Sequence, residues 1–82
     1  MAPKTSIVYR ELDMVPIPED VPKLGIKAGR LGTIDHVYAL GDEPGRGLYV
    51  EVSRDDGSTI GFVQLEADEE GAWHVMVYSV FG

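Results

Sequence analysis

The segment from Gly25 to Ile34 constrains the fold of this chain more than any other stretch. It contains three glycines, at positions 25, 29 and 32, and leads directly into an alternating apolar and polar run that continues to Tyr38. Glycine tolerates positive φ and close backbone approach, so this spacing predicts a sharp turn that feeds a bent or bulged strand. Small, strongly curled β-barrels turn their corners in this way. The segment indicates architecture and carries no chemistry.

Short strands separated by turn residues account for most of the chain. We expect strands at Thr5–Leu12, Leu31–Leu40, Leu48–Arg54, Thr59–Leu65 and Ala72–Phe81. Leu48, Val50 and Val52 are expected to point inward, and Gly61 is expected to be a bulge or a close-packing point. The sequence Asp55-Asp56-Gly57-Ser58 is typical of a tight hairpin.

Three prolines between residues 14 and 24 exclude a helix interior and a central strand there. We expect a long, Pro-rich first loop with at most one helical or 3₁₀ turn, around residues 19–21. A chain of 82 residues allows one domain. The sequence therefore predicts an all-β fold, a single SH3-like barrel domain over residues 1–82 with about five antiparallel strands.

Charge limits the classes of partner. Fourteen acidic residues against seven scattered basic ones give a net charge of −7. Because nucleic-acid binding relies on Lys and Arg displacing counterions, we expect no nucleic-acid partner. No apolar run approaches the roughly 18 residues of a membrane span, and the first residues lack the apolar core of a signal peptide, so we expect no membrane association and a cytoplasmic location. There are no cysteines, hence no disulfide framework and no thiolate metal site.

Catalytic patterns are weak throughout the sequence. His36 and His74 are the side chains that titrate near neutral pH, and either could form an acid–base or metal site with Asp35 or Glu51, or simply lie on a strand surface. No cluster shows metal-ligand spacing, and no serine lies in a Gly-x-Ser-x-Gly turn. The glycine segment precedes a strand, whereas a phosphate-binding loop precedes a helix. The sequence predicts a protein that is not an enzyme and uses no cofactor or metal.

The C-terminal strand departs from the alternation expected of a strand with one face in water. As a regular strand it carries Trp73, Val75, Val77 and Phe81 on one face and Met76, Tyr78 and Val80 on the other. The second apolar face is covered either by the proline loop or by another chain. Such residue types are enriched in interface cores, so we expect a protein interface in a homo-oligomer. Its predicted residues are Trp73, Val75, Met76, Val77, Tyr78 and Phe81.

A set of residues shared with known domains runs through roughly residues 12–66. It comprises Val21-Pro22, Gly25, Gly29, Gly32-Thr33-Ile34, Val37-Tyr38, Tyr49-Val50-Glu51-Val52 and Asp56-Gly57. In these residues the chain resembles a family of small bacterial domains of unknown function with an SH3-like β-barrel. The resemblance implies the fold and implies no catalytic residue. In outline the glycine-turned strand is also similar to KOW-type ribosomal and transcription-factor modules, which bind RNA or protein.

Three functions are compatible with these patterns. The first is a non-enzymatic protein-interaction module that self-associates, and its negative charge favours a basic protein partner, such as a toxin or a nucleic-acid-binding protein. The second is an accessory subunit or domain of an enzyme complex, by analogy with the fold alone. The third is a KOW-like RNA-binding module, against which the acidic charge argues.

Overall fold

Five antiparallel strands form one curled sheet in the computed structural model, which describes residues 8–81. The strands follow one another in the order β1-β2-β3-β4-β5, so each pairs with its neighbour in sequence. Their bounds are β1, Met14–Pro16; β2, Leu31–Leu40; β3, Glu43–Ser53; β4, Thr59–Ala67; and β5, Trp73–Val80. A 3₁₀ helix at Pro22–Leu24 interrupts the connection between β1 and β2. The predicted all-β class and five-stranded antiparallel sheet, consistent with a small SH3-like barrel, are confirmed.

The sheet curls into a half-barrel because extra residues and glycines bend its strands. The β2–β3 ladder shifts register twice, and the β3–β4 and β4–β5 ladders shift once each. Gly25 and Gly29 have φ of +69° and +94° in the turn before β2. A Cβ on Gly32 would lie 2.4 Å from a Val50 methyl carbon, so the strand needs glycine there. The interpretation of the glycine segment as a turn into a bent strand is confirmed.

The core lies on the concave side of the sheet. Alternate residues of β2, β3 and β4 point into it, and the segment around the prolines covers it from the other side. The buried residues are Val15, Ile17, Val21, Leu24, Ile26, Ile34, Leu48, Val50, Val52, Val63 and Leu65. The prediction that Leu48, Val50 and Val52 point inward is therefore confirmed. The proline loop, defined here as residues 17–30 between β1 and β2, forms the second wall of the core.

The first strand lies elsewhere than predicted. Residues 8–10 are not in a strand, Leu12 adopts a left-handed φ of +73°, and β1 starts at Met14. The Asp13 carboxylate accepts the Arg10 N–H at 2.9 Å, so a local turn replaces the extended chain that was expected. Residues 5–7 of that predicted strand lie outside the described residues.

Two other boundaries differ by more than two residues. The 3₁₀ turn begins at Pro22, where the missing N–H is tolerated at the first helical position, and Gly25 ends it with left-handed φ. β3 begins at Glu43, because Leu40 pairs with Glu43 across a tight turn in which Gly41 has a φ of +61°. Residues 43–47, which lie between the strands predicted at Leu31–Leu40 and Leu48–Arg54, thus belong to β3.

Candidate functional site

The β5 strand is the last strand of the sheet, and one of its edges is open. The Phe81 N–H donates to the Ile60 carbonyl of β4 at 3.1 Å. Because main-chain groups of an antiparallel strand alternate in direction, those of Tyr78 and Val80 point away from β4. No other strand within residues 8–81 pairs with this side of β5. The open edge is defined here as the main chain of residues 78–80.

A β-bulge corrects the predicted faces of β5. Gln64 pairs with Val77 and Leu65 pairs with Val75, so Met76 is an extra residue in the ladder. Residues after the bulge therefore change face. Tyr78, opposite buried Val63, lies on the concave side, whereas Val77 lies on the outer side. The predicted set with Val77 on the same face as Trp73 and Val75 is wrong for this reason.

The six predicted interface residues divide between the core and the surface. Trp73 and Val75 are half-buried and pack against the core, and the Trp73 ring meets that of Tyr9 edge-on at 5.8 Å. The second half of β5 and the residue after it are exposed, and the large apolar residues there keep between 41% and 64% of their surface accessible. They are Met76, Val77, Tyr78, Val80 and Phe81. The apolar surface predicted on this strand is thus concentrated in residues 76–81.

A groove of about 470 Å³ lies between this strand and the proline loop. Its lining residues are Glu19, Asp20, Val21, Pro22, Lys23, Val75, Met76 and Tyr78. The sequence pattern predicted the β5 side of the groove; for the other side it left the proline loop as one of two possible covers and indicated no lining residue. The signal for that side is the acidic pair Glu19-Asp20 inside the Pro-rich segment, since a charged pair in a segment that covers a core must lie at its rim.

A small polar network ties the loop to the start of β5. The Val75 N–H donates to Glu19 Oε1 at 2.7 Å, and Glu19 Oε2 lies 3.9 Å from Nδ1 of His74. His74 Nε2 lies 2.8 Å from Asp68 Oδ2. The hydrogen bond with Asp68 raises the pKa of His74, and the same bond lowers the pKa of Asp68 to about 2. Glu19 therefore occupies the part of the β5 edge that precedes the open edge.

The other histidine makes a different contact. His36 Nδ1 lies 3.4 Å from Glu11 Oε2, and its ring stacks on that of Tyr38 at 6.5 Å. The Glu51 carboxylate accepts a hydrogen bond from the Thr59 hydroxyl instead of meeting a histidine. The hypothesis of a histidine paired with Asp35 or Glu51 has no support in these contacts. Within residues 8–81, no group of three or more His, Cys, Asp or Glu side chains is arranged to hold a metal ion.

Three arginine side chains form hydrogen bonds within the domain. Their guanidinium groups donate to main-chain carbonyls, Arg30 to Ser53, Arg46 to Ala67 and Arg54 to Thr59. Among the groove-lining residues, the carboxylates of Glu19 and Asp20 outnumber the one cation, Lys23. The surface around β5 is apolar with an acidic border.

These features define a class of protein: a small all-β domain with a half-barrel sheet, one apolar core and an open C-terminal strand. A family model described as "Domain of unknown function (DUF4926)" matches residues 11–69, and the chain belongs to that family. The resemblance to a family of small domains of unknown function is confirmed. The match ends before β5, so the open edge lies beyond the matched region. No curated protein and no solved structure gave a significant match. Within the described part of the chain, no helix has the length and apolar character that crossing a membrane requires.

Proposed function

We propose that this chain is a non-enzymatic protein-interaction module that self-associates through the open edge of β5. The observation that supports this most is the combination of outward main-chain groups at Tyr78 and Val80 with exposed apolar side chains around them. An unpaired strand edge is a template for pairing with another strand. The exposed Tyr, Met and Phe side chains are of the types that interface cores favour.

Protection of the β1 edge and of the start of β5 supports the same proposal. Strand β1 has only three residues and contains Pro16, and short strands with proline are common ways to block an edge. The start of the β5 edge is covered by Glu19 at Val75. Residues 76–81, Met-Val-Tyr-Ser-Val-Phe, contain neither charge nor proline. Along β5 the unprotected stretch is thus one short segment, and within residues 8–81 the other stretch without a strand on its outer side is β2 beyond Ile34.

Antiparallel pairing of two β5 strands about a two-fold axis near Ser79 satisfies these groups. Outward N–H and C=O groups of Tyr78 and Val80 exchange hydrogen bonds with their counterparts, and the two sheets become continuous. Such an interface is isologous, so it closes as a dimer and does not propagate. Val77 and Phe81 of both copies then extend one outer face.

The test removes the outward N–H of Tyr78 and leaves the hydrogen bonds between β4 and β5 in place. Tyr78→Pro removes an N–H that points away from β4, and proline is tolerated at such edge positions. The matched control Tyr78→Val keeps the N–H and loses only the ring. In sedimentation at micromolar concentration, we expect the wild type and Tyr78→Val to sediment at twice the 9.0 kDa of one chain, and Tyr78→Pro as a monomer. A folded wild-type monomer at every concentration would refute the proposal.

The RNA-binding alternative has less support. Arg30 and Arg46 are two of the cations nearest to a glycine in sequence, and each donates to a main-chain carbonyl, which reduces its freedom to meet a phosphate. Salt-sensitive binding to a single-stranded oligonucleotide would restore that alternative. Co-purification with one large subunit would instead favour the accessory-domain alternative.

A further inference from the structure

Resting on the proposed function, we propose that the open edge and the groove beside it bind an extended, basic segment of a partner protein in preference to a second copy of this chain. The ligand class is a strand with apolar residues on one side and Lys or Arg on the other. Strand addition at a sheet edge takes its affinity from main-chain hydrogen bonds and its specificity from alternate side chains.

The geometry of the groove supplies the apolar half of this specificity. Val75, Met76 and Tyr78 line one wall, and Val21 and Pro22 lie in the other. The same strand that forms the first wall offers its main chain at Tyr78 and Val80. A segment paired with this edge therefore places alternate side chains toward the groove and the others toward its rim.

The charges around the groove supply the basic half. Two carboxylates, Glu19 and Asp20, and one cation, Lys23, belong to its lining. The acidic turn Asp68-Glu69-Glu70 directly precedes β5. Complementary potential guides encounter and register, so a Lys or Arg side chain is favoured beside Glu19.

The net charge of the chain favours a basic segment over a second copy at the open edge. Two copies of a chain with a charge of −7 repel one another, whereas a basic segment is attracted. At physiological salt this repulsion is screened beyond about 8 Å, and near the interface it persists. The dimer is thus the state of the free protein, and a basic strand displaces the second copy.

The experiment uses two labelled hexapeptide probes of alternating sequence, Lys-Val-Lys-Val-Lys-Val and Glu-Val-Glu-Val-Glu-Val, and measures fluorescence anisotropy on the full chain. At about 50 mM salt we expect the basic probe to bind about tenfold more tightly than the acidic one. At about 500 mM salt the difference shrinks, because the charges are screened. Sedimentation of the same samples should show monomer with bound basic peptide in place of dimer.

Two variants test whether the preference for the basic probe depends on the carboxylates of Glu19 and Asp20. The double variant Glu19→Gln, Asp20→Asn removes both rim charges and keeps the oxygens that accept the N–H groups of Val75 and Ala28. It should lose most of the preference for the basic probe. The matched control Asp42→Asn, Asp55→Asn removes two carboxylates in hairpin turns outside the groove lining and should retain that preference.

The outcomes separate this inference from the proposed function. Equal binding of both probes to a chain that still dimerises overturns the inference and leaves self-association standing. Undiminished binding of the basic probe to Tyr78→Pro also overturns it, since the edge is then not the site. A chain that neither dimerises nor binds either probe refutes both proposals. Binding that appears only after residues 1–7 are removed assigns the edge to the chain's own N-terminal segment and overturns the inference.

Discussion

Glu19 Oε1 accepts the main-chain N–H of Val75 at 2.7 Å, across 56 residues of sequence. This bond joins the proline loop, which covers the core, to the edge strand, which carries the open edge. It also fixes where the groove between them begins, because both residues line it. A single side chain of the loop therefore covers the start of the strand whose end is open.

We predict that Glu19→Ala lowers the free energy of unfolding by about 1 kcal/mol, the usual net worth of one hydrogen bond. Glu19→Gln should cost less, because the amide oxygen still accepts the Val75 N–H. Urea denaturation of the two variants measures the difference. Equal losses would mean that the charge of Glu19 matters and the bond to Val75 does not.

The close packing around Gly61 predicts that Gly61→Ala lowers the free energy of unfolding more than Glu19→Ala does. A Cβ at Gly61 would lie 2.3 Å from the Ser79 carbonyl oxygen, so Gly61→Ala must separate β4 from β5. A Cβ at Gly47 would meet the ring of Tyr38 at 2.1 Å, and that ring can move. We expect Gly61→Ala to destabilise by about 3 kcal/mol and Gly47→Ala by about 1 kcal/mol, from urea midpoints at constant m-value. The reverse ranking would contradict this prediction.

Local patterns predicted those elements whose signal is local. The bounds of β2 are those expected, because the glycines and the alternation after them fix its start and face. The Asp56-Gly57 hairpin also occurs as predicted, with Gly57 at a φ of +90° and the Asp56 carboxylate accepting the Ser58 N–H. Both depend on residues within a few positions of one another.

Features that depend on distant partners could not be predicted in this way. The run Val75-Met76-Val77-Tyr78 is apolar at every position, so no alternation fixes its register, and the bulge at Met76 is set by pairing with β4. The bond from Val75 to Glu19 joins segments at opposite ends of the chain. For these reasons the sequence indicated an apolar C-terminal strand and gave neither its faces nor its groove.

Removal of the Tyr38 hydroxyl, unlike the substitutions above, is predicted not to lower the free energy of unfolding. It is shielded from water and, among the described residues, finds no hydrogen-bond partner of ordinary geometry, although Gln64 and Glu66 lie close by. Burial raises the pKa of Tyr38, and the charge of Glu66 acts in the same direction. An unsatisfied polar group is a cost, so Tyr38→Phe should leave the free energy of unfolding unchanged or raise it by up to about 1 kcal/mol. A loss of stability would show that the hydroxyl is bonded after all.

The His74–Asp68 pair predicts a pH dependence. His74 has a raised pKa, so its contribution is complete below the ordinary value of 6.5 and is lost as the pH rises through the raised value. Asp68 has a pKa of about 2, so its contribution is present above its ordinary value of 3.8 and is lost as the pH falls toward 2. NMR titration of the His74 ring protons should give a pKa above 6.5 in the wild type and a lower one in Asp68→Asn. An unchanged titration in that variant would contradict the assignment.

Arg46 links β3 to β4. Its substitution should therefore lower the free energy of unfolding more than substitution of its ion-pair partner, Glu43. Its side chain pairs with Glu43 and also donates to the Ala67 carbonyl at the end of β4, at 2.7 Å. We expect Arg46→Leu to lower the free energy of unfolding by about 2 kcal/mol, because a charge-assisted bond to a part-buried carbonyl is lost. Glu43→Gln should cost about 0.5 kcal/mol, the usual worth of an exposed ion pair, and less at high salt. Urea denaturation at low and high salt distinguishes the two contributions. If Glu43→Gln costs as much as Arg46→Leu, the ion pair, and not the bond to Ala67, holds this end of the sheet.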